Sequence, residues 1–356
     1  MKIEIQYVPL NRRKAKPHPL GLGFGQYFTD HMFLMKYVSG QGWVNPCIIP
    51  YKPIELDPAA LVFHYAQAVF EGLKAYYGED QRIRLFRPDM NAKRFNTSAE
   101  RLCMPTIDPD LFVEIIKTLV MVEREWVPKA RGASLYIRPT MIATEPALGV
   151  RPALEYLFFV ITSPVGAYYK EGFNPVKIMV TDKYVRAVPG GIGYTKAAAN
   201  YAASLKAAQE AQALGYSQVL WLDARERRFV EEVGTMNIFF YFRDSLVTPF
   251  LSGSILPGVT RDSVIQLARD WGLEIQERPI SIEEVIEGLE KGELLEVFGT
   301  GTAAVISPVG VLHYRGKDYM INKGKTGPLA KKLFEEITGI QYGLLPDFRD
   351  WTVIID

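Results

Sequence analysis

A chain of 356 residues is longer than one hydrophobic core usually supports, so two domains are expected. Apolar residues make up 48% and aromatic residues 12%, ample for such cores, and 41 Lys+Arg against 40 Asp+Glu leave a formal charge of +1. That balance gives no basis for binding nucleic acid or an acidic surface, and the absence of any 18-residue apolar run argues against a membrane span.

Cys47 and Cys103 form neither a metal spacing nor a disulfide framework, and His18, His31, His64 and His313 stand singly, so no metal site is expected. Residues 1–5 lack the apolar core of a signal peptide, and the expected location is the cytoplasm.

In chain order, Arg94 precedes Ser98 and Leu102 on an expected helix, where it either lies on a solvated face or grips a phosphate. Residues 110–127 read as helix, with Leu111, Ile115, Leu119 and Val122 at three- or four-residue spacing. Residues 134–140 read as a strand that puts Tyr136 and Arg138 on one face. Residues 154–162 form a continuous apolar run between prolines, as a buried strand does. The Gly-, Pro- and Tyr-rich stretch that follows divides the chain into a small α/β domain (1–165), a linker (166–176) and a large domain (177–356).

The second part opens with a strand at 177–180. Lys196 then stands between the glycine-rich 189–195 segment and a helix of small residues over 197–214, stopped by Gly215. A lysine ammonium is poorly solvated in such a place, and a desolvated amine readily attacks a carbonyl to form a Schiff base. A surface lysine at a helix start would look much the same. Strands are expected at 218–223 and 236–242. Between them Glu231 and Glu232 sit at a strand end, where one must face inward if the strand is buried. A buried carboxylate needs a cationic partner, and a protonated pyridine nitrogen would serve, although an exposed pair is the commoner case.

Residues 254–261 lead into a helix over 262–271, and the free N–H groups and the Thr260 hydroxyl at its start suit either a phosphate or an ordinary cap. Ser281 opens a capping box for a short helix that Gly288 interrupts or weakens. Residues 296–307 run strand, Gly/Thr-rich turn, strand, and the turn's Gly-Thr-Gly-Thr matches neither a Walker A loop nor the dinucleotide fingerprint. A last helix covers 329–337. The fold class is α+β or mixed α/β. An amine, a phosphate cradle, a ring-nitrogen acid and small polar groups are together the parts of a pyridoxal phosphate site.

Over nearly its whole length the chain resembles the branched-chain amino-acid aminotransferases, two-domain pyridoxal phosphate enzymes of fold type IV (D-amino-acid aminotransferase-like). The resemblance rests on Phe24-Gly25, Phe28-Thr29-Asp30-His31-Met32, Phe70-Glu71-Gly72-Leu73-Lys74-Ala75, Leu85-Phe86-Arg87-Pro88, Arg101-Leu102-Cys103-Met104-Pro105 and Tyr136-Ile137-Arg138-Pro139. It continues through the lysine and glutamate segments, Leu256-Pro257-Gly258-Val259-Thr260-Arg261 and Gly301-Thr302-Ala303-Ala304.

The resemblance implies transamination of leucine, isoleucine and valine with 2-oxoglutarate, giving branched-chain 2-oxo acids and glutamate. Lys196 resembles the catalytic lysine that holds pyridoxal 5′-phosphate and moves a proton between the substrate Cα and cofactor C4′. Arg94, Val259, Thr260 and Thr302 match phosphate contacts, Tyr201 the partner of the phenolic oxygen, and Glu232 the acid at the pyridine nitrogen. Tyr201 follows Lys196 by five residues, so both reach one ring only if Lys196 precedes regular helix. Phe24, Tyr65, Phe70, Val150 and Tyr201 match an aromatic box for the substrate side chain. Tyr65 and Val150 fall where family loops approach a neighbouring subunit, so a homodimer with a shared site is implied. Thr235, Ala303 and Ala304 match contacts to the substrate carboxylate, and Thr235 also lies at the cofactor. Tyr136 and Arg138 match residues that meet the glutamate side chain. An apolar box distinguishes methylenes by only about 1–3 kcal/mol, so all three branched-chain donors should be accepted.

One departure stands out: Ala304 and Ser307 occupy the positions of the Cys-x-x-Cys pair of animal members, so thiol control of that kind is not expected. The D-amino-acid aminotransferases, aminodeoxychorismate lyase and the amine transaminases share the fold, but the Tyr136/Arg138 pair with Phe70-Glu71-Gly72 favours branched-chain substrates. A catalytically silent binding protein would not need Lys196, Arg94 and Glu232, and no Gly-x-Gly-x-x-Gly follows a strand as a dehydrogenase requires.

Overall fold

A computed structural model describes residues 1–19, 21–166 and 173–355 of the chain. Contacts group the residues into two units, each around its own nine-stranded sheet. Six residues of the expected linker, 167–172, lie outside the described part.

The first unit comprises Met1–Tyr168, Thr195–Ala199 and Gly339–Asp356. Its elements are β1 (Glu4–Ile5), β2 (His31–Val38), β3 (Gly42–Pro50), α1 (Leu61–Tyr65), β4 (Ala68–Phe70), β5 (Leu73–Tyr77), β6 (Ile83–Phe86), α2 (Pro88–Arg101), α3 (Pro109–Val122), β7 (Ser134–Ala143) and β8 (Glu155–Val165). The apolar run read from 154 to 162 continues as strand to Val165, the last residue before the expected linker. Sheet order is β1-β3-β2-β8-β7-β5-β6 with the C-terminal Thr352–Ile355 strand at the edge, and β4 pairs with β7. Helix α3 is shorter than expected. It ends at Val122, and a separate 3₁₀ turn (Arg124–Trp126) follows, bringing the Trp126 indole N–H to Asp30 at 2.8 Å. The apolar faces of α2 and α3, with Phe95, Phe112 and Ile115, pack on Phe33, Phe158 and Leu135 from the sheet.

The second unit comprises Tyr169–Tyr194 and Asn200–Thr338. Its strands and helices are β9 (Val176–Thr181), α4 (Ala198–Ala213), β10 (Gln218–Leu222), β11 (Val230–Val233), β12 (Asn237–Phe242), β13 (Leu246–Thr248), α5 (Val259–Asp270), β14 (Ile275–Glu277), α6 (Ile282–Lys291), β15 (Leu294–Gly301), β16 (Val305–Tyr314), β17 (Lys317–Met320) and α7 (Pro328–Gln341). The order is β11-β10-β9-β16-β15-β12-β13-β14, with β17 on β16. Helix α6 runs unbroken through Gly288, so of the two expected effects the glycine does not interrupt it. A Cβ there would lie 2.7 Å from Phe242 Cε1, so the glycine serves close packing against the sheet. Ser281 caps α6, its hydroxyl accepting from Glu284 N at 3.1 Å, while the Glu284 side chain turns to Arg278. Helix α5 begins at Val259, earlier than read, so Val259 and Thr260 form its first turn.

The sequence boundaries assigned Lys196 and the C-terminus to the second half, but their contacts lie with the first unit. Ala197 bridges to Val69, and Phe70 N donates to Lys196 O at 3.1 Å, so the lysine segment lies along the edge of β4. No helix of the described residues is long and apolar enough to cross a membrane.

Candidate active site

In the first unit, Lys196 is pinned by its backbone. Its N–H donates to Ser98 Oγ at 3.0 Å, its carbonyl accepts from Phe70, and its Nζ lies 4.8 Å from the centre of the Phe70 ring. The side chain is half-buried, and α4 starts two residues later at Ala198. The condition that Lys196 precede regular helix is therefore met.

Arg94 lies on the buried face of α2. Its Nε and Nη2 donate to the two oxygens of Glu71, at 2.7 and 2.9 Å. Glu71 is fully buried in the turn between β4 and β5, and it also accepts from Asn91 Nδ2 at 2.7 Å. Burial pushes its carboxyl up. The Arg94 guanidinium and its hydrogen bonds, the Lys196 ammonium and the Asn91 amide outweigh that and hold it below the usual carboxylate range.

Across this face, Tyr136 stacks edge-on to Phe24 at 4.9 Å and accepts from Arg138 Nη2 at 3.0 Å. The Arg138 guanidinium lies 4.6 Å from the Phe70 ring centre, and its buried Nε has no partner among the described residues. Gly72 makes room for Tyr136: a Cβ there would fall 2.1 Å from the tyrosine Oη. Lys74, opposite Tyr136 in the β5–β7 register, is buried, and desolvation brings its pKa down to about 8. Phe24, Phe70, Tyr136, Arg138 and Lys196 are thus brought together. Tyr65 and Val150 are placed apart from them, 41% and 82% exposed, and the Tyr65 hydroxyl donates to the Leu148 carbonyl.

The second unit holds the remaining candidates. Both Glu231 and Glu232 are buried, not one of the two. Glu232 Oε2 lies 2.5 Å from Arg186 Nε, a buried ion pair, and its Oε1 accepts from Asn237 Nδ2 at 3.3 Å. The cation that the buried carboxylate requires is thus supplied by the chain itself. On Glu231, burial pushes the carboxyl up, and the Ser254 hydroxyl and the more distant Arg186 offset this only in part.

Val259 and Thr260 occupy the first turn of α5, whose N-cap, Gly258, brings no capping side chain. A Cβ at Gly258 would lie 2.0 Å from Asn237 Oδ1, so the same asparagine that touches Glu232 abuts the α5 cap. The uncapped N–H groups and the helix dipole suit an anion. Thr235 is exposed in the β11–β12 turn, Tyr201 is half-buried in the first turns of α4, and Thr302, Ala303 and Ala304 form the β15–β16 turn. That turn ends at Val305 with φ 63°, a left-handed conformation that strains a β-branched residue and occurs preferentially at functional sites.

Glu71 and Arg186 carry much of this electrostatic arrangement, yet sequence reasoning gave them no role. A lone acid in an otherwise apolar stretch was the available signal for Glu71. Arg186, ten residues before Lys196, gave none. The donor set fits pyridoxal 5′-phosphate: a half-buried amine, a buried arginine and an uncapped helix start for a phosphate, and a buried acid with a cationic partner for a pyridinium.

The chain matches the class IV amino-transferase model over residues 68–311. It is 57% identical over 341 residues to branched-chain-amino-acid transaminase 1 of Bacillus subtilis, covering 96% of each chain. Among solved structures it matches the Escherichia coli branched-chain amino acid aminotransferase with a TM-score of 0.76 at 27% identity, over 92% of this chain and 99% of that one. The T.th. branched-chain amino acid aminotransferase complexed with N-(5′-phosphopyridoxyl)-L-glutamate matches with a TM-score of 0.75 at 28% identity, over 91% and 98%. The fold is that of the fold-type IV aminotransferases, and the chain belongs to the class IV, pyridoxal phosphate-dependent branched-chain-amino-acid aminotransferase family.

Proposed function

We propose that this protein transfers the amino group of leucine, isoleucine or valine to 2-oxoglutarate, with Lys196 as the catalytic base and acid. The observation that carries the reading is the half-buried Lys196 amine over the Phe70 ring, beside the Glu71–Arg94 pair. When bound, pyridoxal 5′-phosphate supplies an electron sink for the carbanion formed at the substrate Cα.

The protein's own residues do the rest. Lys196 Nζ first holds the cofactor, then takes the proton from the substrate Cα and returns it at C4′. Arg94, Val259, Thr260 and Thr302 bind the phosphate, Tyr201 holds the phenolic oxygen, and Glu232 keeps the proton on the ring nitrogen. Thr235, Ala303 and Ala304 orient the α-carboxylate. Phe24, Phe70 and Tyr201 form an apolar wall that excludes water from the branched side chain. Arg138, helped by Tyr136, engages the second carboxylate of glutamate. Tyr65 and Val150 complete the wall of a neighbouring subunit in a homodimer, which accounts for apolar side chains left exposed. The small domain, read as 1–165, also takes in Thr195–Ala199 and Gly339–Asp356, the remainder of 177–356 acts as the large domain, and the enzyme works in the cytoplasm.

The test is a panel of amino donors with 2-oxoglutarate as acceptor. Leucine, isoleucine and valine should be the best donors, and their failure against aromatic or D-amino donors would reject the substrate reading. Lys196→Ala should lose about 10⁴-fold or more in turnover, and near-normal turnover would reject its catalytic role.

A further inference from the structure

Arg186 ties together three segments of the second unit. Its Nε meets Glu232 Oε2 at 2.5 Å, its Nη2 donates to the Gly193 carbonyl at 3.0 Å, and the same Nη2 donates to the Ser254 carbonyl. The side chain is only 8% exposed. Gly193 lies three residues before Lys196, Glu232 is in β11, and Ser254 is in the loop that leads to α5. On the far side of Glu232, Asn237 Nδ2 bridges the carboxylate to the Leu256 carbonyl at 2.8 Å. One carboxylate oxygen therefore faces the guanidinium in an ion pair, and the other accepts from a fixed amide.

We propose that Arg186 is a positioning residue that keeps Glu232 anionic and aimed, and so sets the pH range in which the cofactor's ring nitrogen keeps its proton. The inference rests on the reading of Glu232 given above. A buried carboxyl without a cation relieves itself by taking a proton. A protonated Glu232 would donate to an unprotonated ring nitrogen and leave the ring a poor electron sink. Arg186 removes that alternative before any cofactor arrives. Glu231, the next residue on the same strand, is an internal control: it is as buried but bonded to a hydroxyl, and burial pushes its carboxyl up. Arg186 is the charged group that Glu232 meets in this unit, and Glu231, on which Asp223 at the end of β10 also acts, is the next residue on its own strand. β10, residues 252–256 and the 234–237 turn bring no ionisable side chain.

The experiment uses full-length Arg186→Gln and Arg186→Lys, freed of cofactor and titrated with pyridoxal 5′-phosphate. Protein fluorescence gives Kd, the visible band is followed against pH, and the melting temperature of the cofactor-free protein is recorded. Arg186→Gln should bind about tenfold or more weakly and displace the midpoint of the band's pH response by about a unit or more. Arg186→Lys, which keeps the charge and loses the fork, should recover the midpoint more than the Kd. A wild-type midpoint in Arg186→Gln would overturn the proposal. So would equal damage to melting temperature in both variants with no difference in pH response. Should Arg186→Gln not fold, the lysine variant decides: a midpoint displaced as far as complete loss of charge at Glu232→Gln would overturn it. A wild-type protein that forms no visible band with pyridoxal 5′-phosphate would reject the functional reading itself, and this inference with it.

Discussion

The two units carry buried Arg–Glu pairs of opposite polarity. In the first, the end with the proposed function is the cation: Arg94 is the proposed phosphate ligand, and the carboxylate of Glu71 supports it through two hydrogen bonds. In the second, the end with the proposed function is the anion: Glu232 is the proposed partner of the ring nitrogen, and it is supported by one close contact from the Arg186 guanidinium and by Asn237. A cofactor with an anionic phosphate and a cationic ring demands one charge of each sign, and burying either alone is prohibitive. Each unit provides a counter-ion of its own, so each buried pair is neutral by itself. The first pair is the more rigid, since Glu71 is fully buried and accepts from two nitrogens of a planar fork plus Asn91.

Breaking the first pair should produce the largest effect. Glu71→Gln keeps the shape but leaves the Arg94 guanidinium buried without its anion, so stability should fall by about 3–5 kcal/mol in urea unfolding. Adding Arg94→Gln should restore much of that stability while leaving cofactor binding weak, because the phosphate ligand is gone. A double variant as unstable as the single one would show that the pair is not the source of the loss. The ionic contribution also has a pH signature. Glu71 lies below the ordinary carboxylate value of 4.5, so its contribution is present above that value and disappears as pH falls through the lower folded one. The single variant should lose this acid-limb dependence.

Next in size is Arg138, the arginine of the same face that has no carboxylate. It stacks on Phe70 and Tyr136, and its Nε is buried without a partner among the described residues. Arg94 has Glu71 as a counter-ion within its own unit, whereas in the proposed reading Arg138 receives its anion from the substrate. Arg138→Ala should raise KM for glutamate about tenfold or more and change KM for leucine much less. Equal effects on both substrates would remove the distinction between the two arginines.

These contrasts explain what the sequence made legible. Local signals located Lys196 and the two glutamates and placed the α5 start within three residues, since a Gly-rich segment, a strand end and a Pro-Gly turn are each written in neighbouring residues. Family motifs added Arg94, Tyr136 and Arg138. Strands β7, β8, β9, β10 and β12 were readable within a few residues, β8 because its apolar run is continuous and bounded by prolines. The partners of the charges were not readable. Glu71 is 23 residues from Arg94, and Arg186 meets Glu232 only because the lysine loop and β11 lie side by side in the folded unit. The return of Lys196 to β4 was equally hidden, since a backbone bridge to Val69 leaves no mark in side-chain periodicity.

The smallest expected effect separates two neighbours on one strand. Glu232 has Arg186, whereas Glu231 has the Ser254 hydroxyl, and burial raises the Glu231 carboxyl above its ordinary 4.5. A raised acid holds its proton more tightly in the folded state than in the unfolded chain. Its favourable contribution is therefore complete below 4.5 and is lost as pH rises through the folded value. Glu231→Gln cannot ionise, so it should match the wild type in acid and become the more stable protein above that range. The gain should fall at the lower end of the roughly 0.5–3 kcal/mol spanned by ordinary substitutions. Glu232→Gln should behave oppositely, losing stability at neutral pH because Arg186 is left without its anion. If both variants shifted stability in the same direction across pH, the assignment of the arginine to one glutamate and not the other would fail.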